Sequence, residues 1–535
     1  MFSIEDLPHE LSDSRNASFL TGILRGAERE SLRVTTDGKI SLSPHPETLG
    51  SALTHPQITT DFSEALLEFI TPPCHTITDL LAQLDILQRY TASKLPADEQ
   101  LWYHSMPCAL GADRDIPVAR YGNSNNGQMK TIYRIGLGHR YGRAMQTVAG
   151  LHYNFSMPNA FWAFLSRRDN SFLDIQEYKN QRYFGLIRNF RRHYWLLIYL
   201  FGASPALCKS FIGERHHNLL PLDDLQHTLH LPYATSLRMG DLGYQSGAQE
   251  SLYVCYNTKK SYIESLCAAI TQPHAAYEAI GVKSKEGYHQ QLNTGLLQIE
   301  NEFYSSIRPK RTTHHGETAL AGLDNRGVEY IEVRCLDVDP FNPLGIGAEQ
   351  IRFLDTFLIY CALKDSPPTD CNEATTILRN QKTAVTQGRK PGVSLEHPQK
   401  GEISLSAWGT ELLNAMEPVA ELMDGAHKNR AFSDSLKRQR KKLENPGLTP
   451  SAQLLDIMKE KKLDYAAFAL QQSKDHQQQM LAQPLSENVQ QRMESMALES
   501  EAEQVALESN SQLDFDEFLT RYYRQYRRCC GSFME

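Results

Sequence analysis

The sequence lacks the signals of secretion, of a membrane span and of a zinc site. Its ten cysteines are scattered without a C-x-x-C pair, which suits reduced thiols in a cytosolic protein better than a disulfide framework or structural zinc. The longest apolar run, residues 194–201, is far shorter than the roughly 20 residues that a membrane helix needs. Acidic residues and Pro8 come before any apolar run at the N-terminus, so we expect no signal peptide. These absences predict a cytoplasmic protein without a membrane partner.

An excess of positive charge is missing as well. The chain has 55 Lys and Arg against 63 Asp and Glu, a net charge of -8, which argues against a nucleic-acid partner bound through a basic surface. No G-K-[ST] motif is present, and G-L-G-H-R-Y-G at 136–142 places its last glycine one position too late for a dinucleotide fingerprint. A nucleotide, if one is used, must therefore be held through metal ions and basic side chains.

The length and composition predict a large soluble protein. A chain of 535 residues is too long for one small core, and 41% apolar and 22% charged residues are ordinary values for a globular protein. Beyond about residue 365 the sequence becomes mostly polar and helical in pattern. We expect a catalytic core of sheet and helices over residues 1–365, and a mainly helical region over residues 366–535 that packs on it.

The most informative stretch is R-G-A-E-R-E-S-L-R-V, residues 25–34. Side chains alternate across a strand, so Glu28 and Glu30 point to the same face. Two carboxylates aimed at one place repel each other unless a cation lies between them, and a hard divalent ion with oxygen ligands is the usual occupant. The alternative is a solvated outer face on which glutamates alternate with arginines.

Two later segments have the same character. Residues 66–71 are rich in strand formers and end at two prolines, which predicts a strand carrying Glu68 on one face, with Asp61 in the loop before it. Residues 147–157 alternate between apolar residues and a second face that contains His152 and Asn154. A lone histidine is more often a satisfied structural residue than a metal ligand, so this segment alone decides little.

A fourth segment, residues 327–335, is a strand by composition and places Glu332 and Arg334 on one face. Four such segments predict one sheet lined with hard ligands, enough for two or three Mg2+ or Mn2+ ions. A metal cluster without a phosphate-cradling loop points to phosphoryl transfer, in which an arginine stabilises the developing charge.

Two groups of cations outside these strands are candidates for binding anions. Arg238 and Tyr244 could hold a carboxylate through a forked donor and a hydroxyl, although a surface loop is the equal alternative. Arg308, Lys310 and Arg311 could hold nucleotide phosphates, and a solvated basic turn is the equal alternative.

Several motifs closely resemble bacterial glutamate-cysteine ligase of the gamma-proteobacterial type, in register from about residue 20 to about residue 450. They are R-G-A-E-R-E-S-L-R-V (25–34), G-S-A-L-T-H-P-Q-I-T-T-D-F-S-E-A-L-L-E-F-I-T-P (50–72), G-L-H-Y-N-F-S (150–156), F-G-A-S-P-A (201–206), L-P-Y-A-T-S-L-R (231–238), D-L-G-Y (241–244), I-R-P-K-R (307–311), G-V-E-Y-I-E-V-R (327–334) and G-R-K-P-G (388–392). The last 80 or so residues look divergent.

The resemblance implies an α+β fold of the glutamine-synthetase type, with a mainly antiparallel sheet whose concave face carries metal ligands and is surrounded by helices. It also implies ATP-dependent joining of the L-glutamate side-chain carboxylate to the L-cysteine amine through a γ-glutamyl phosphate, the first step of glutathione synthesis. The expected small-molecule partners are L-glutamate, L-cysteine and ATP, and the expected assembly is a monomer.

The same resemblance assigns roles to residues. One Mg2+ would be held by Glu28, Asp61 and Glu68, a second by Glu68, His152 and Glu332, and a third by Glu30 and Glu332. Arg334 would contact the glutamate or its transferred phosphoryl group, and acts with Glu332 and Glu68 in catalysis. The cysteine pocket would be formed by Tyr133, Arg238, Tyr244 and Tyr304.

Two other functions fit the same residues less well. A related carboxylate-amine ligase would keep the fold and change the amine, but the pair of Arg238 and Tyr244 suits an amino acid with its own carboxylate. A non-catalytic nucleotide-binding regulator would bind ATP without turnover, and the intact acidic positions together with Arg334 argue against it.

Overall fold

The computed structural model describes residues 17–243, 249, 252–511 and 513–529. For residues 528 and 529 it describes the backbone and not the side chains. The chain has a mixed α/β fold in which helices surround an antiparallel sheet. The strands are β1 Leu24–Thr35, β2 Ile58–Thr60, β3 Leu66–Ile70, β4 Glu99–Leu101, β5 Gly150–Ser156, β6 Ala206–Cys208, β7 Leu220–Leu222, β8 Leu225–His230, β9 Ile307–Lys310, β10 Tyr330–Asp337, β11 Ser394–His397 and β12 Gly401–Ser404.

The helices lie around this sheet and fill most of the second half of the chain. They are α1 Ala17–Thr21, α2 Ile77–Lys94, α3 Asn125–Tyr141, α4 Asn159–Arg168, α5 Ile175–His193, α6 Trp195–Phe201, α7 Lys209–Ile212, α8 Lys259–Thr271, α9 Ala275–Glu278, α10 Ala319–Arg326, α11 Ala348–Leu363, α12 Cys371–Gln387, α13 Leu405–His427, α14 Ala431–Glu444, α15 Pro450–Lys461, α16 Tyr465–Leu481, α17 Glu487–Ser509 and α18 Phe515–Cys529. Within the described ranges, no helix has the length and apolar character needed to cross a membrane.

The main sheet runs in the order β2-β3-β1-β5-β10-β9, and β4 pairs with the end of β1. All of these pairs are antiparallel, and their register decides which side chains meet. Glu30 lies opposite Glu68, and Glu28 lies opposite His152. Since directly paired residues point to the same face, the register gathers the acidic residues of separate strands on one side of the sheet.

The other face of β1 is buried and carries three arginines. Arg25, Arg29 and Arg33 are each 1% exposed or less, so the alternative of a solvated outer face for this stretch is wrong. The guanidinium of Arg29 also lies over the ring of Tyr103, 4.8 Å from its centroid. The partners of the three arginines, with their N to O distances, are Asp355 at 2.8 Å, Gln88 at 2.6 Å and Glu99 at 2.6 Å.

Most of the regular elements follow their sequence signals. The amphipathic pattern at 348–363 forms α11, and the side chain of Thr449 caps α15, which has Pro450 at its first position. Strand β9, however, was not anticipated, because its four residues are Ile-Arg-Pro-Lys. It forms because it pairs with β10, so that Pro309 lies on the edge of the sheet, where a missing N–H is tolerated.

The C-terminal helices pack on loops from the first 300 residues of the chain. From α18, Tyr523 donates a hydrogen bond to the carbonyl of Gln298 at 2.8 Å, and the Tyr526 hydroxyl donates to Glu300. From α17, Ser500 accepts a hydrogen bond from the backbone N–H of Ser51 at 3.0 Å. The eight cysteines whose side chains are described are free thiols.

Candidate active site

Glu28, His152 and Glu332 form a compact cluster at the centre of the sheet. One ligand atom of each lies within 4.8 Å of the others. Nδ1 of His152 is 3.2 Å from Oε2 of Glu28 and 3.6 Å from Oε1 of Glu332. Asn154 donates from Nδ2 to Oε1 of Glu28 at 2.7 Å. Three different strands therefore bring their polar side chains to one point, as the sequence predicts.

The acidic face continues towards β3. Glu30 accepts a hydrogen bond from the backbone N–H of Gly150 at 2.5 Å, and its Oε1 lies 3.6 Å from Nε2 of His152. Glu68 is the register partner of Glu30 and therefore points to the same face of the sheet, and Asp61 lines the same cavity as Glu30. The face thus carries five carboxylates.

The pKa values of these acids move in opposite directions. Burial, followed by the charges of Glu28, Asp61 and Glu30, raises the pKa of Glu68 well above its usual range. Burial also raises the pKa of Glu30. Burial pushes the pKa of Glu332 up, but the nearby cations outweigh it and hold the pKa well below its usual range. This split among neighbouring carboxylates is typical of a functional site.

Several polar atoms of this cluster are buried and form no hydrogen bond with any described residue. They are Nε2 of His152, Oδ1 of Asn154 and Oε2 of Glu332. Buried polar atoms are rarely left unsatisfied, and an imidazole nitrogen beside carboxylate oxygens is a donor set that hard divalent cations accept. The residues present therefore fit a metal ion.

Two cations border the acids on the β10 side. Nη1 of Arg334 donates to Oε1 of Glu332 at 3.0 Å, and Nζ of Lys310 is 3.6 Å from the same oxygen. The other two cations that the sequence suggests for binding phosphate, Arg308 and Arg311, donate hydrogen bonds to backbone carbonyls. Arg308 donates to the carbonyls of Asn301 and Phe303. Arg311 donates to the carbonyl of Arg326. Of the three, Lys310 is the one that lies within ion-pair distance of Glu332.

A cavity of about 80 Å³ adjoins the acids at the end that carries Glu30 and Arg334. Tyr133, Arg238 and Tyr304, which the resemblance assigns to the cysteine pocket, all line it. Tyr244, the fourth, lies outside the residues that the structure describes. The other residues that line the cavity are Asp61, Phe62, Arg134, Leu137, Met145, Gln146, Val148, Gly243, Asn301 and Glu302.

Arg238 is buried and fixed by contacts on the side away from the cavity. Its side chain is only 1% exposed, so the alternative of a surface loop is wrong for this residue. Its Nη1 lies 3.7 Å from Oδ1 of Asp337, and its Nη2 donates to the carbonyl of Arg334 at 3.2 Å. The Asp337 carboxylate is itself fixed by the hydroxyls of Ser204 and Ser236, at 2.7 and 2.9 Å. This support orients the guanidinium along the cavity wall.

Sequence reasoning missed the wall that α3 contributes. Arg134 and Leu137 line the cavity beside Tyr133, and Ser124 caps the helix by accepting from the N–H of Gly127 at 3.2 Å. Gln146 was also missed, although it donates to the Tyr304 hydroxyl at 2.9 Å. The available signal was a serine followed by a helical pattern, which marks the start of a helix.

The chain is similar to known proteins over most of its length. The family model for glutamate-cysteine ligase matches residues 9–384. The glutamate-cysteine ligase of Saccharophagus degradans is 63% identical over 532 residues, which cover 99% of this chain and 100% of that protein. The glutamate-cysteine ligase of Alcanivorax borkumensis is 48% identical over 527 residues, with 98% and 100% covered.

Two solved structures are similar as well. The crystal structure of Francisella tularensis glutamate-cysteine ligase in complex with AMP superimposes with a TM-score of 0.89 and 37% identity, covering 95% of this chain and 99% of that one. A bifunctional glutathione synthetase from Pasteurella multocida gives a TM-score of 0.69 at 24% identity, covering 89% of this chain and 55% of that one, which concerns the fold alone. Since the family model and the relatives match over most of its length, this chain belongs to the glutamate-cysteine ligase family, whose enzymes catalyse the ATP-dependent first step of glutathione synthesis.

Proposed function

We propose that the acidic face binds the phosphates of ATP and that the adjoining cavity binds the two amino acids. The reaction would join the γ-carboxylate of L-glutamate to the amine of L-cysteine. The observation that carries this proposal is the cluster of Glu28, His152 and Glu332, with its unpartnered polar atoms, beside a cavity that shares Glu30 and Arg334.

Two or three Mg2+ ions, or Mn2+ in their place, would be held on this face. One ion would be bound by Glu28, Asp61 and Glu68, a second by Glu68, His152 and Glu332, and a third by Glu30 and Glu332. When bound, such ions neutralise the charge of a nucleotide's phosphates and of a transferring phosphoryl group.

The first step would transfer the γ-phosphoryl group of ATP to the substrate. An oxygen of the glutamate γ-carboxylate attacks the γ-phosphorus, the bond to the β,γ-bridging oxygen breaks, and ADP leaves. Arg334 and Lys310 would stabilise the negative charge that spreads over the phosphoryl oxygens. Their contacts with Glu332 keep both cations at the edge of the acidic face.

The second step would form the amide bond. The cysteine nitrogen attacks the carbonyl carbon of γ-glutamyl phosphate, phosphate leaves, and the nitrogen loses a proton. Tyr133, Tyr304, Arg238 and, by resemblance, Tyr244 would hold the cysteine. Arg238, which lines the cavity and is supported by Asp337, would pair with the cysteine carboxylate.

The same proposal extends to the architecture. We infer a glutamine-synthetase-like sheet, a catalytic core over residues 1–365, and a supporting helical region over residues 366–535. Arg308 and Arg311 would shape the nucleotide end of the sheet without direct phosphate contact. We also propose that the protein acts as a monomer in the cytoplasm on small molecules.

An assay of ADP release tests the proposal. The purified chain is given ATP, Mg2+ and L-glutamate with one amine at a time: L-cysteine, L-2-aminobutyrate or cysteamine. We expect rapid ADP release with cysteine, slower release with 2-aminobutyrate, and little with cysteamine, which lacks the carboxylate. Equal turnover with all three amines would reject the amine pocket, and no turnover with any of them would reject the ligase.

A further inference from the structure

A second cavity, of about 150 Å³, shares Tyr304 with the substrate cavity. Its walls are the C-terminal end of α5, the middle of α12, and the segments 252–256 and 303–306. The reaction proposed above uses none of the residues that line only this cavity.

One cation in this cavity has no hydrogen-bond or ion-pair partner in the part of the chain that the structure describes. The guanidinium of Arg191 lies over the ring of Tyr256, 4.3 Å from its centroid, and makes no hydrogen bond or ion pair with any described residue. Its neighbours on α5 differ. Arg188 donates to four backbone carbonyls, at 2.8 to 3.2 Å. Arg192 is paired with both oxygens of Glu373. Of these three arginines, Arg191 is the one whose N–H groups make no hydrogen bond with a described residue.

The other polar groups of the wall are mostly occupied. The Tyr194 hydroxyl donates to Gln381, and Gln381 donates to the carbonyl of Met239 at 3.1 Å. Ser305 accepts from Arg308 at 3.3 Å. Gln249 donates to the Tyr141 hydroxyl and the carbonyl of Glu302, and accepts from the N–H of Tyr304. The apolar part of the wall consists of Met239, Leu252, Val254, Phe303, Ala374 and Leu378. A pocket with apolar walls and one uncommitted guanidinium suits a ligand with an apolar body and one negative charge.

The cavity opens to solvent beside two large apolar side chains. Tyr253 is 41% exposed and Leu378 is 48% exposed, and both belong to the lining. This mouth lets a small molecule enter without crossing the substrate cavity. The volume of the cavity suits a ligand about as large as one apolar amino acid.

An occupant would touch the segment that also builds the substrate site. Tyr304 carries the hydrogen bond to Gln146, whose side chain lines the substrate cavity. Ser306, which lines the second cavity, accepts through its carbonyl a hydrogen bond from the N–H of Arg334 at 2.9 Å. The segment 303–306 therefore has one side facing each cavity.

We propose that this second cavity is an effector site for a small apolar carboxylate, held by Arg191, whose binding changes the affinity for the amine substrate through Tyr304. The effect on the amine rests on the function proposed above, whereas the binding itself does not. By linkage, the amine must change the affinity for the carboxylate by the same factor.

The binding test uses 4-methylpentanoate as the probe and its uncharged analogue 4-methylpentanamide as the matched control. Calorimetric titrations are made in saturating glutamate and cysteine without ATP, so that the probe cannot occupy the substrate cavity. Wild type should bind the carboxylate and not the amide. Arg191→Met should weaken binding by roughly tenfold or more, because a charge-assisted contact is lost. Arg191→Lys should restore part of it.

Arg182→Met serves as the control variant, since Arg182 lies on the same helix and donates to the carbonyl of Ala362, away from the cavity. Its affinity for the probe should equal that of wild type. Failure of wild type to bind the carboxylate, or equal binding by a folded Arg191→Met protein, would overturn the site.

The coupling test measures the KM for cysteine with and without the probe. It should shift by about fivefold in wild type, in the usual range of allosteric coupling, and stay constant in Arg191→Met. An unchanged KM in wild type would overturn the regulatory part. Arg191-dependent binding in a protein that releases no ADP would instead reject the ligase function and leave the site standing.

Discussion

Replacing Glu68 with glutamine tests the metal-binding face most directly. Glu68 is the register partner of Glu30, and burial, followed by the charges of Glu28 and Asp61, raises its pKa. Glutamine keeps the shape of the side chain and removes one negative charge. If Glu68 is shared between two ions, as proposed, the loss should weaken the binding of both.

The size of the effect can be bounded. Removing a residue that only supports a metal ligand typically costs roughly 10–100-fold in metal affinity, so losing a ligand itself should cost more than about 100-fold. At about 1.4 kcal/mol per tenfold, this is more than about 2.8 kcal/mol. Five carboxylates then become four, while the cations Arg334 and Lys310 remain, which further lowers the attraction for divalent ions.

The assay is ADP release as a function of Mg2+ concentration, together with calorimetric titration of Mn2+. Glu329→Gln is the matched control, because Glu329 precedes β10, is 44% exposed in its side chain and accepts a hydrogen bond from the N–H of Thr312 at 3.0 Å. The control should behave like wild type. A folded Glu68→Gln protein with unchanged turnover and Mg2+ dependence would refute the shared-ligand assignment.

Three further predictions follow from the same geometry. In the metal-free protein, the free energy of unfolding should fall as the pH rises above 4.5, the usual pKa of a glutamate. The raised pKa values of Glu68 and Glu30 make the folded state bind more protons than the unfolded state in this range. Thermal melts in EDTA should show this pH dependence, and added Mg2+ should remove it. Arg25→Met leaves Asp355 buried without its ion pair and should cost about 3–5 kcal/mol in urea unfolding, most of it recovered by adding Asp355→Leu. Arg238→Lys should raise the KM for cysteine about tenfold through loss of the forked contact, and an equal rise for cysteamine would contradict carboxylate recognition.

The acidic face could be predicted because strand alternation is a local property. Glu28, Glu30, His152 and Glu332 each belong to a segment whose pattern assigns them to a face, and the register then brings those faces together. The pattern could not tell which face of β1 meets water, since both faces carry charge. Only the packing of the helices shows that Arg29 lies in the interior.

The cation contacts were harder to predict because they depend on loop carbonyls. Arg308 and Arg311 have the composition of a phosphate site, but Nη2 of Arg308 and Nη1 of Arg311 each donate to a backbone carbonyl within 15 residues. Arg238 lies in a segment rich in turn formers, and its buried side chain forms an ion pair with Asp337, about 100 residues later in the chain. Contacts over such distances leave no periodic signal in the sequence.

The alternation of arginine and glutamate along β1 also restricts how the central strand can pair. Shifting its register by one residue would turn every side chain to the opposite face. Arg25 and Arg29 would then enter the acidic site, and Glu28 and Glu30 would be buried without partners among the helices, at a cost of several kcal/mol per charge. The charges of this strand therefore destabilise sheets with a shifted register during folding, before any nucleotide or amino acid is bound.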